Sequence, residues 1–197
     1  DDRRRAATNP ELSLENTFGN SQALHRSPPE GPGWKASQLD SLTHFINCHG
    51  GSADPKFYGQ RGNSYPVAME ASRLHRKVRN GTVVAAECCY GAQLFDPSIP
   101  GEMGICNRYM SQGAYAFFGS STVAYGPSEG NGSADLICQF FIQRVLAGAS
   151  TGRAALEARV MFVRHATHLD PTDLKTLAQF NLMGDPSVPI WRKFPQA

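Results

Sequence analysis

With 197 residues, 41% of them hydrophobic, the chain has enough apolar surface for one domain with a sizeable core. A formal net charge of +2, with basic residues scattered apart from Arg3-Arg4-Arg5, argues against nucleic acid or a membrane as the main partner. No apolar run approaches the roughly 18 to 20 residues of a bilayer span, and the polar, basic amino terminus has no signal-peptide core. Because the first residue is Asp1, an upstream targeting segment and other domains of a longer chain stay open. Five cysteines, at 48, 88, 89, 106 and 138, do not resemble a disulfide framework. Cys48, Cys106 and Cys138 read most simply as small buried hydrophobes. Unpaired thiols slightly favour a reducing compartment such as the cytoplasm.

Taken in order, residues 1–37 contain Asn9-Pro10, Ser27-Pro28-Pro29 and Glu30-Gly31-Pro32-Gly33, the composition of an extended, loop-rich arm. Leu42 to Cys48 is the first predicted strand, followed at once by His49-Gly50-Gly51. The polar stretch from Gly50 to Asn63 reads as a surface loop beside His49. Val67, Ala71, Leu74 and Val78 then recur at helical spacing, which predicts a crossover helix over 66–80 with Asn80-Gly81 as its stop. Val83-Val84-Ala85-Ala86 is a short apolar run of the kind buried on both faces of a parallel sheet, and Glu87, Cys88 and Cys89 fall where it ends. Further predicted elements are a helix over 101–112, a strand over 114–118 followed by Ser120-Ser121-Thr122, a helix over 134–147 capped by Ser133, and helices over 152–165 and 171–180. The turn Gly184-Asp185-Pro186 and a short strand at Val188 to Trp191 close the chain.

A strand, crossover and strand over 42–88 is expected to be parallel and right-handed, which brings both carboxyl ends to one edge of the sheet. Active sites of open α/β sheets lie at that edge. His49 and the Cys88/Cys89 pair are thus candidate partners, an imidazole able to take a thiol proton and a thiol able to attack a carbonyl. Backbone N–H groups near Gly50 and Gly91 are free to approach a substrate oxygen. The plainer account is that His49 is a loop histidine and the cysteines are buried hydrophobes. A metal site is disfavoured, because adjacent Cys88 and Cys89 lack the spacing that lets two thiolates reach one zinc.

Four segments in order resemble the caspase-like cysteine peptidases of clan CD, and above all the gingipain-type bacterial peptidases. They are Phe45-Ile46-Asn47-Cys48-His49-Gly50, Cys88-Cys89-Tyr90-Gly91-Ala92-Gln93-Leu94-Phe95, Gly113 to Thr122, and Phe180 to Pro186. The resemblance covers about 40–190. It implies a three-layer α/β/α sandwich with a mostly parallel central sheet over 38–197, with 1–37 as an arm, linker or propeptide-like segment. It also implies a cysteine endopeptidase acting on a protein or peptide through a His/Cys dyad and a thioester acyl-enzyme, with no cofactor. His49 takes the histidine position and Gly50 the adjacent oxyanion-hole position. The Cys-x-x-Gly spacing selects Cys88 as nucleophile and second oxyanion donor; the Cys-x-Gly spacing of caspases selects Cys89 instead. Glu87, Ser120, Ser121 and Thr122 become candidate substrate contacts, and Glu129 or Asp135 would meet a basic P1 side chain. A catalytically silent scaffold module and a thiol acyltransferase share the same fold and core residues.

Overall fold

The computed structural model describes residues 9–96, 103–127 and 130–190. At its centre lies β5 (Val83–Glu87), fully buried from Val83 to Ala86 because it is paired on both sides and covered on both faces. β1 (Thr43–Asn47) lies parallel to it on one side and β6 (Ala116–Ser120) parallel on the other. β7 (Phe180–Gly184) adds antiparallel to β6 and closes the order β1-β5-β6-β7. This is the expected three-layer sandwich with a mostly parallel sheet.

Side chains alternate across the strands, so each face receives its own set. Ile46, Val84, Ala86 and Phe117 enter one core with Leu74, Ile105 and Tyr109. Val83, Ala85, Ala116 and Phe118 enter the other, against α3 (Ser133–Leu146) and α4 (Thr151–His165). There Phe118 stacks on Phe141 with centroids 4.5 Å apart. α5 (Pro171–Gln179) opens on an Asp170/Asp173 capping box. Among the described residues, no helix is long and apolar enough to cross a membrane.

Several local expectations are corrected. The 66–80 segment is not a helix: β4 (Val67–Glu70) is followed by a single 3₁₀ turn, Ala71–Leu74. The spacing of Ala71, Leu74 and Val78 reflects their burial under the sheet and not a continuous α-helix. The polar loop before it holds β2 (His49–Gly50) and β3 (Lys56–Tyr58), and β2, β3 and β4 form a small antiparallel sheet. Its pairing with β4 places Phe57 opposite Met69, a contact outside the reach of local pattern. The helix expected over 101–112 is the shorter α2 (Ile105–Met110), stopping before Gly113 at φ +85°; 101 and 102 lie outside the described residues. Ser133 does not cap α3: Gly132 occupies the cap, and Ser133 has φ +40°. The closing strand lies earlier than expected, at Phe180–Gly184, whereas Pro189 makes only an isolated bridge with Ser150, consistent with proline's missing N–H. Trp191 lies outside the described residues.

The amino-terminal segment, expected to be extended, carries α1 (Asn9–Phe18). It is tied to the α3 region by Asn16 Nδ2 donating to Gln139 Oε1 at 3.1 Å and Asn131 Nδ2 donating to Ser13 Oγ at 3.1 Å. Further along, Trp34 is buried in the core and its Nε1 donates to the Ala68 carbonyl at 2.7 Å.

Candidate active site

Parallel pairing of β1 with β5 sets Asn47 beside Glu87, so the residues that follow each strand leave the sheet side by side. His49 turns away into β2, and Gly50 packs directly on the Cys89 peptide. A Cβ at Gly50 would overlap the Cys89 carbonyl oxygen and lie 3.2 Å from its carbon. Only glycine allows that approach. The two strand ends open on one cavity of about 1210 Å³, lined by Asn47, Cys48, His49, Glu87, Cys89 and Gly126 among others.

The two adjacent cysteines part company at this edge. Gly91 N–H donates to the Cys88 carbonyl at 3.0 Å, closing a turn in which Tyr90 has φ +56°. A left-handed tyrosine costs on the order of 1 kcal/mol or more and persists only where the surroundings hold it. Here the extension of β6 does so: Tyr90 N–H donates to the Thr122 carbonyl at 2.8 Å and Ala92 N–H to the Ser120 carbonyl at 2.9 Å. As a result Cys88 points into the core, 1% exposed, with its Sγ 3.8 Å from the Ile46 carbonyl. Burial pushes its thiol well above the ordinary range. Burial and then the Glu87 carboxyl push Cys48 up to about 12. Cys89 is half-buried, lines the cavity and donates from Sγ to the Ala124 carbonyl at 3.4 Å. All five cysteines are free thiols.

His49 is exposed and lines the same cavity. Its Nε2 lies 2.9 Å from Gln60 Oε1, and the ring of Tyr65 meets its own edge-on at 5.0 Å. Both neighbours come from the β3–β4 hairpin, which local pattern had not revealed.

Behind Cys89 is a carboxyl pair. Glu87 is raised well above the usual carboxylate range, first by burial and then by its hydrogen bond to the Asp135 carboxyl. Asp135 is fully buried on α3, and Asn47 Nδ2 donates to its Oδ1 at 3.4 Å. Glu87 Oε2 is enclosed without a hydrogen-bond partner. Gly126 covers the pair: a Cβ there would lie 3.0 Å from Asp135 Oδ2 and 3.5 Å from Glu87 Oε1. Burial and the neighbouring Asp135 carboxyl both favour the protonated form of Glu87.

Ser120, Ser121 and Thr122, the other substrate-contact candidates, make hydrogen bonds within the protein. Ser120 is fully buried and its Oγ donates to the Thr122 carbonyl at 2.7 Å. Ser121 Oγ donates to the Gln179 carbonyl at 3.3 Å, and Thr122 Oγ1 to Gln179 Oε1 at 2.5 Å. None of the three lines the cavity. Glu129 lies outside the described residues. Among the described residues, no group of three or more His, Cys, Asp or Glu side chains is placed to hold a metal ion.

The family model of peptidase family C25 matches residues 42–191, well over half of the chain. The chain belongs to peptidase family C25. This is the gingipain family of clan CD, whose members are cysteine peptidases. The matched span contains both strand ends, the cysteine turn and the β6 extension that holds it. No curated protein matches the chain. A solved protease structure resembles it at 16% identity with a TM-score of 0.46, over 96% of this chain and 46% of that one. The C25 chain thus spans about half the length of that protease.

Proposed function

We propose that this C25 chain is an endopeptidase in which Cys89 is the nucleophile and His49 the general base, with a preference for arginine or lysine at P1. The carrying observation is that Cys89 and His49 line one cavity at the carboxyl edge of two adjoining parallel strands, while Cys88 is buried in the core. A nucleophilic thiol must reach both a base and a substrate, and a buried thiol with a raised pKa reaches neither. Cys-x-x-Gly spacing favours Cys88, but burial weighs more because it acts on the reacting atom itself.

In the proposed reaction His49 takes the Cys89 proton as the sulfur attacks the scissile carbonyl. Backbone N–H groups at Gly50 and Cys89 receive the developing oxyanion. The imidazolium then gives its proton to the leaving amine, the C–N bond breaks and a thioester remains. Water, deprotonated by His49, hydrolyses it and restores the thiol. A guanidinium or ammonium reaching Glu87 would favour its ionised form, turning an enclosed carboxyl into half of an ion pair. That is the physical ground for a basic P1.

The test is digestion of a mixed peptide library by the native chain, Cys89→Ala and His49→Ala, with products identified by mass spectrometry. Cuts after arginine or lysine that vanish in both variants are expected. Cleavage that persists in either variant, or ignores the P1 charge, would overturn the assignment.

A further inference from the structure

Resting on the reading of His49 as the base, we infer that Gln60 is a positioning residue that sets which nitrogen of His49 takes the thiol proton. The hairpin carrying Gln60 is closed by backbone hydrogen bonds. Arg61 and Ser64 exchange backbone hydrogen bonds of 2.9 and 3.0 Å, Gly59 N–H donates to the Pro66 carbonyl at 2.9 Å, and Gly62 has φ +56°. A left-handed first loop residue is what a two-residue II′ hairpin turn needs. On this support the Gln60 amide makes two bonds. Its Nε2 donates to the Gly62 carbonyl at 3.0 Å and its Oε1 lies 2.9 Å from His49 Nε2.

Those two bonds determine a tautomer. The Gly62 carbonyl can only accept, so the NH₂ of Gln60 must face it; a flipped amide would set oxygen against oxygen. Gln60 Oε1 can only accept in turn, so His49 Nε2 must carry the hydrogen. Neutral His49 therefore keeps its lone pair on Nδ1, and Nδ1 is the atom that removes the Cys89 proton. Once protonated, the imidazolium still donates from Nε2 to Gln60, so the same bond orients the ring and steadies the charge. Tyr65, edge-on to the ring at 5.0 Å, restricts rotation about the remaining torsion. Gln60 touches neither the thiol nor the scissile bond in this scheme and acts only through His49.

The test combines a spectrum with kinetics. Long-range ¹H–¹⁵N correlation of histidine-labelled chain, at a pH where His49 is neutral, should show hydrogen on Nε2 in the native chain and in Gln60→Glu, which retains an acceptor oxygen. Gln60→Leu should show a mixture of tautomers. Against a P1 arginine peptide, Gln60→Leu should lower kcat by about 10- to 100-fold with little change in KM, part of the 10²- to 10⁴-fold that a general base supplies; Gln60→Glu should restore most of it. Hydrogen on Nδ1 in the native chain, an unchanged kcat in Gln60→Leu, or an effect confined to KM would overturn the inference. Because the spectrum needs no turnover, an Nε2–H signal that is lost in Gln60→Leu supports the positioning role even if no peptide is cut. In that event only the hydrolase reading fails.

Discussion

Replacing Gly50 by alanine tests the site through a single methyl group. The added Cβ would sit inside the contact distance of the Cys89 carbonyl oxygen and 3.2 Å from its carbon, with the Phe57 ring 3.5 Å away on another side. The obstructing atoms are backbone, so no side-chain rotation relieves the overlap. The His49–Gly50 strand and the cysteine turn would have to separate by about 1 Å. Displacing catalytic groups by about 1 Å costs about 10²-fold in rate, equivalent to about 2.7 kcal/mol of transition-state stabilisation. Overpacking itself destabilises a fold by about 1–3 kcal/mol, and each kcal/mol lowers Tm by about 2–4 °C in a chain of this size. The assay is kcat/KM on a P1 arginine peptide, with thermal unfolding measured beside it and kinetics recorded well below both midpoints. A Gly50→Ala chain whose kcat/KM stays within about threefold of native, at an unchanged Tm, would refute the claim that this glycine holds His49 against the cysteine turn.

Cys88→Ala should remain active, losing only a buried sulfur worth about 1 kcal/mol and a few degrees of Tm, whereas Cys89→Ala should lose turnover altogether and resist iodoacetamide at the cavity; peptide mapping of the alkylated thiol separates the two. Glu87→Gln should cut kcat/KM for P1 arginine by about 10- to 100-fold, the worth of a hydrogen bond to a charged group, and leave a neutral P1 peptide little affected. The same variant carries a pH signature. The Glu87 carboxyl is raised in the fold above its ordinary value of 4.5, so its contribution is present below that pH and is lost as pH rises toward the elevated folded value. The Tm advantage of Glu87→Gln over native should therefore grow from about pH 4.5 upward, and a gap constant with pH would sink the buried-carboxyl account. Trp34→Ala should lower stability by about 3–5 kcal/mol, since the indole is buried and its Nε1 bond to Ala68 is lost; a chemical denaturation midpoint near native would show that the segment before β1 is only loosely attached.

Local chemistry carried the parts of the fold that depend on one strand at a time. Val83-Val84-Ala85-Ala86 announced a doubly covered strand because every position is apolar, and parallel pairing then put the His49 and Cys88/Cys89 ends on one edge. The helix expected from Pro171 likewise begins there as α5, and the structure adds the Asp170/Asp173 cap. Other elements depended on partners distant in the chain. Lys56-Phe57-Tyr58 is a strand because β4 pairs with it, and the helical spacing of Ala71 and Leu74 misled because burial beneath a sheet imitates an amphipathic helix.

At the site itself, residue type was enough to single out a histidine and a pair of thiols at adjoining strand ends, because proton transfer and nucleophilic attack need those groups whatever the fold. Which thiol faces the cavity was beyond residue type. That choice hangs on Tyr90 at φ +56° and on two hydrogen bonds from the β6 extension, which rotate Cys88 inward and Cys89 outward. The pairing of Glu87 with Asp135 and of His49 with Gln60 was equally hidden, since each joins segments that meet only when the chain has folded. Composition and spacing settle which chemical groups arrive at the sheet edge; their orientation, burial and proton placement follow from contacts between segments that no local pattern encodes.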